Sequence, residues 1–148
     1  MKLFPLAIAC VCLLTLAARP FITAAEPAAK DELHTPDRAS AERKAIIEAV
    51  HAEYSKNDSA RTEATVEFIV PYLKVHNGWA WIEIHPRTKD GQQAFEPQSE
   101  LYHLKNGKWT FMDALSGEAD ADPAKDIRAM KKKFPALPHD ILPQVEGS

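Results

Sequence analysis

Cysteine is nearly missing from this chain. The two that exist, Cys10 and Cys12, both lie inside the apolar stretch 3–18. If that stretch is removed, no thiol is left for a disulfide, a zinc or iron–sulfur site, or nucleophilic catalysis. Cationic excess is lacking too, with 18 Lys and Arg against 21 Asp and Glu. An acidic balance without a basic stripe repels phosphate backbones, so nucleic acid is not an expected partner. Beyond residue 25 no apolar run approaches the roughly 20 residues that span a bilayer. Phosphate loops, dinucleotide fingerprints and nucleophile–base pairs are also lacking, and no cofactor is expected.

What is present starts with an export signal over residues 1–25. Lys2 supplies the positive start, residues 3–18 the apolar middle, and Ile22-Thr23-Ala24-Ala25 the small residues at which a signal peptidase cuts. The processed chain then begins near Glu26 and is expected in the periplasm or the medium, with no membrane span. Without Lys2 and Arg19 its balance is 16 cations against 21 acids. Residues 26–39 are rich in Ala, Pro and charge and read as a flexible leader to a single domain over 40–143. Residues 144–148 read as a disordered tail.

Apolar periodicity places the elements. Ile46, Ile47, Val50 and Tyr54 recur at helical spacing after Ser40, a good N-cap, and Asn57-Asp58-Ser59 offers a stop. Val66, Phe68 and Val70 then alternate as a strand. The phase slips at Pro71, so a bulge there hands the apolar face to Leu73 and Val75. His76-Asn77-Gly78-Trp79 is a two-residue hairpin turn, and it pairs Val75 with Ala80, Lys74 with Trp81, Leu73 with Ile82 and Tyr72 with Glu83. A second Asn-Gly turn at Asn106-Gly107 pairs Leu104 with Trp109, His103 with Thr110, Tyr102 with Phe111, Leu101 with Met112, and Glu100 with Asp113. Asp122-Pro123 starts another helix, with Ile127, Met130 and Phe134 on one side and Lys131, Lys132 and Lys133 at its end. Pro135, Pro138 and Pro143 prevent it from continuing.

The expected class is therefore α+β: an N-terminal helix, a four-stranded antiparallel sheet made of two hairpins, then a C-terminal helix and a Pro-rich tail. The order of Val66-Glu67-Phe68-Ile69-Val70, Asn77-Gly78-Trp79-Ala80-Trp81-Ile82 and Asn106-Gly107-Lys108-Trp109-Thr110-Phe111 resembles a group of small exported bacterial proteins of unassigned function. It is also similar to the cystatin-like and nuclear-transport-factor-2-like folds. The resemblance spans roughly residues 41–114 and implies location and architecture, but no catalytic residue.

Three sets of side chains carry candidate chemistry. Glu100 and Asp113, set opposite each other, would share a proton and act as general acid and base, with His103 nearby. The bland alternative is two solvated acids at strand ends. His85, His103 and Glu83 would form a three-ligand metal site if the second and third strands are neighbours, although no two histidines have close ligand spacing. Glu118, Asp120 and Asp122 alternate like the opening of a calcium loop but lack its glycine and terminal glutamate.

A fourth set, Trp79, Trp81, Tyr72 and Lys74, gathers large aromatics and a cation on one sheet face. That face is either a binding surface or a core roofed by the second helix. The expected function is a non-enzymatic exported binding module that holds a protein partner or a small apolar ligand at the sheet face, of inhibitor, immunity or carrier type. The alternative is a small nuclear-transport-factor-2-like enzyme running acid/base chemistry on Glu100, Asp113 and His103.

Overall fold

Residues 32–57, 66–94, 96–115 and 122–144 are described in a computed structural model of the chain. The expected signal peptide, the first part of the leader, Glu118 and Asp120 of the calcium-like run, and residues 145–148 lie outside them.

Helix α1 (Ala41–Asn57) begins where Ser40 Oγ accepts a hydrogen bond from the Arg43 amide at 3.1 Å. The strands β1 (Glu67–His76), β2 (Trp79–Arg87), β3 (Gln98–Lys105) and β4 (Lys108–Ala114) follow as an antiparallel meander in the order β1-β2-β3-β4. Helix α2 (Pro123–Lys133) and a 3-10 turn at His139–Ile141 complete an α+β arrangement.

Both hairpins turn on Asn-Gly because the geometry needs two left-handed residues in a row. Asn77 and Gly78 have φ of 50° and 73°, and Asn106 and Gly107 have 51° and 72°. The first hairpin has the expected register, including the irregularity between Ile69 and Tyr72 around Pro71. In the second, the three pairs next to the turn are as expected, but Leu101 pairs with Asp113 and Glu100 with Ala114. Met112 is the extra residue of a β-bulge, and it turns every later β4 side chain to the opposite face.

Two cores result, one on each side of the sheet. Under α1, Ile46 and Val50 pack on Leu73, Val75, Ala80, Ile82, Ile84, Tyr102 and Trp109. On the other side, Ile127 and Met130 of α2 join Leu137, Ile141 and Leu142 over Trp79, Trp81 and Leu101. Antiparallel sheets often leave one face wet, but here each face has its own roof.

Residues 32–40 are tied to the sheet edge by backbone groups. His34 and Val75 exchange two backbone hydrogen bonds of 2.9 Å, and the His34 ring meets Glu42 at 2.8 Å. A stretch without apolar periodicity is thus held by groups that side-chain composition does not report.

At the start of α2, Asp122 accepts a hydrogen bond from the Lys125 amide at 3.1 Å, and Pro123 occupies the first helical position. Removing the cap with Asp122→Ala is expected to cost about 1 kcal/mol in urea unfolding. A change below about 0.3 kcal/mol would mean that the cap adds no more than an ordinary surface side chain.

Candidate functional site

The bulge at Met112 separates the two expected acid/base partners, placing Glu100 and Asp113 on opposite faces of the sheet. Asp113 turns to the α2 side, where Lys133 Nζ lies 2.9 Å from its Oδ2. Glu100 turns under α1, 3 % exposed, and accepts a hydrogen bond from the Tyr102 hydroxyl at 2.7 Å. Burial pushes the Glu100 carboxyl above the usual carboxylate range; Tyr102 pulls it down, and the Glu53 charge on α1 pushes it up. Burial also raises the Tyr102 hydroxyl, with the Glu100 charge as the next cause. The shared-proton pair is therefore corrected to one sealed acid and one ion-paired surface acid. His103 does not join either, since its ring stacks on Trp79 at 4.1 Å and 18°. Burial, helped by Lys105, lowers the His103 pKa, which favours the neutral ring.

The expected metal set is not assembled. β2 and β3 are neighbours, but His103 pairs with Trp79 at the turn end of β2 while His85 lies six residues further along, about 20 Å at strand rise. His85 meets only the nearer of its expected co-ligands, Glu83, at 2.9 Å. No group of three or more His, Cys, Asp or Glu residues able to hold a metal ion occurs among the described residues.

Trp79 and Trp81 are 6 % and 1 % exposed, so at these positions the aromatic face is a core interior. Tyr72 donates its hydroxyl to the Ile141 carbonyl at 3.2 Å, and His76 meets Asp140 at 2.9 Å, which fastens the 3-10 turn to β1. Burial raises the Tyr72 hydroxyl, and the Asp140 charge adds to this. Lys74 is half-buried opposite Trp81.

An open groove of about 330 Å³ lies where β4 ends against α2. Ala114, Leu115, Ala129 and Met130 form its apolar wall, and Asp113, Asp126 and Lys133 its charged side. Asp126 Oδ2 itself is buried, with no hydrogen-bond partner among the described residues, so it is closed to the groove's contents. The volume is at the lower end of small-ligand sites, and a few polar groups beside an apolar wall are the usual composition of such sites. Sequence reasoning missed this groove because the Met112 bulge creates it by turning Asp113 toward α2.

The burial of Glu100 had a signal in the sequence. Tyr102 and Leu104 share its strand parity, and both face the α1 core.

The acidic overall balance also concealed a basic stripe. α2 carries five cations, Lys125, Arg128, Lys131, Lys132 and Lys133, against the single acid Asp126. Helical spacing then brings Lys125, Arg128 and Lys132 to one exposed side.

In comparisons with known proteins, no family model, no curated protein and no solved structure matches this chain.

Proposed function

We propose that this chain is an exported binding module of the cell envelope and that its ligand seat is the groove between β4 and α2. The groove carries this reading: a concave apolar wall beside the charged side chains Asp113, Asp126 and Lys133 suits a small ligand with a short apolar body and a polar head. Seats elsewhere on the sheet faces fit less well, because α1 roofs one face and α2 with residues 137–142 roofs the other. The leader composition at residues 1–25 supports export. A helix followed by a four-stranded meander supports a kinship with cystatin-like or nuclear-transport-factor-2-like domains. Separation of Glu100 from Asp113 leaves the acid/base enzyme without its pair.

The test is an amide-resolved NMR screen of small fragments that contain amines, amides and short alkyl groups. Perturbed amides are expected to cluster at Ala114, Leu115, Ala129 and Met130. Ala129→Phe, which fills the groove from an exposed helix position, is expected to abolish them. Fragments that bind nowhere, or that bind Ala129→Phe equally well, would reject the proposal.

A further inference from the structure

From the side of α2 that faces away from the sheet, we infer a second surface, one that docks reversibly on a bilayer bearing anionic phospholipid. Ile127 and Met130 are buried against the Trp79 and Trp81 core, and Phe134 closes the helix half-buried beside them. At 3.6 residues per turn, the opposite side is centred on Lys125 and Lys132, and Arg128 falls within about 60° of both. All three are exposed, with Ala129 exposed among them, so the stripe has low relief. Arg128 stands 3.9 Å from Asp122, and Lys133 is committed to Asp113 at the groove side. Beyond the last lysine, Pro135 and Ala136 are exposed and give the stripe a short apolar shoulder.

Charge distribution selects the partner. The helix holds five of the chain's 18 cations and one of its 21 acids, so the remainder carries 13 cations against 20 acids. A polyanion that wrapped around the molecule would meet repelling acids, whereas a planar anionic surface can be approached with the stripe foremost. Four of the five cations are lysines, which act as point charges and lack the planar fork that reads individual carboxylates or phosphates two oxygens at a time. Among the described residues no helix is long and apolar enough to cross a membrane, so this contact is peripheral. Each basic side chain near an anionic leaflet is worth about fivefold in partitioning at low salt. With Arg128 paired to Asp122, Lys125 and Lys132 together therefore supply about 25-fold.

The experiment is co-sedimentation of the full chain with vesicles of phosphatidylcholine alone and with vesicles containing roughly one-third phosphatidylglycerol. The apolar stretch 3–18 with Lys2 and Arg19 is present in every arm, so the comparison between variants isolates α2. Stronger partitioning onto the anionic vesicles is expected. It should fall by about 25-fold or more in Lys125→Glu/Lys132→Glu, and collapse when salt shortens the screening length from about 10 Å to about 3 Å. Circular dichroism establishes that the variant folds, and Lys125→Gln/Lys132→Gln, expected to fall by a smaller factor, serves if it does not. Equal partitioning onto both lipids, or no effect of either variant, overturns the inference. So does salt-sensitive binding to polyglutamate or to duplex DNA when the anionic vesicles take up none.

Discussion

Trp81→Ala is expected to lower the free energy of unfolding by about 3–5 kcal/mol. The indole is 1 % exposed and packs in the core that seats α2 and residues 137–142 on the sheet. Truncation removes the transfer free energy of a large aromatic and leaves a cavity that Ile127, Met130 and Leu101 fill only in part. Domains of this size are stable by about 5–15 kcal/mol in total, so the loss is a large fraction of the whole. Urea denaturation followed by far-ultraviolet circular dichroism measures the loss. A change below about 1 kcal/mol would mean that the second roof is not seated as described. The same burial makes Trp81→Ala unsuitable as a probe of ligand binding, because lost binding would report unfolding; exposed Ala129 and Lys132 are the positions to vary.

The second large effect is a pH-dependent difference between wild type and Glu100→Gln. Burial raises the folded-state pKa of Glu100, while in the unfolded chain the side chain titrates near the ordinary value of about 4.3. Below that pH the carboxyl is neutral in both states, and the two proteins should have similar stability. As pH rises, the unfolded chain ionises first, so the wild type loses stability relative to the amide until the folded-state pKa is passed. The advantage of Glu100→Gln then stays constant, at about 1.4 kcal/mol for each pH unit that separates the two pKa values. The amide oxygen can accept the Tyr102 hydrogen bond, so packing is largely preserved. His51 and His103, both with pKa values lowered by burial, are common to the two proteins and cancel in the difference. A stability difference independent of pH between about 4 and 8 would show that Glu100 has the same pKa folded and unfolded.

Much of the fold was legible because local rules and tertiary packing agree. Asn-Gly turns demand positive φ whatever surrounds them, and Asn77-Gly78 and Asn106-Gly107 fixed the register of the neighbouring pairs. The phase slip at Pro71 was visible because apolar residues switch parity across it. Met112 gave no such sign. It is apolar, and it continues an alternation in which either parity is acceptable, so the bulge that moves Asp113 away from Glu100 left no trace in the residue pattern.

By itself, then, the residue order determined the elements and the strand pairing within each hairpin, since turn chemistry, capping at Asp122 and period-2 or period-3.6 apolar spacing act over only a few residues, while the β2–β3 pairing came from the tertiary structure. Tertiary structure alone decided which aromatic side chains are interior, that Glu100 and Asp113 lie on opposite faces, and that the cationic side of α2 faces outward. Those outcomes depend on what covers each face. Residues more than 40 positions apart bring Ile127 and Met130 over Trp79 and Trp81, and the same placement turns Lys125 and Lys132 outward.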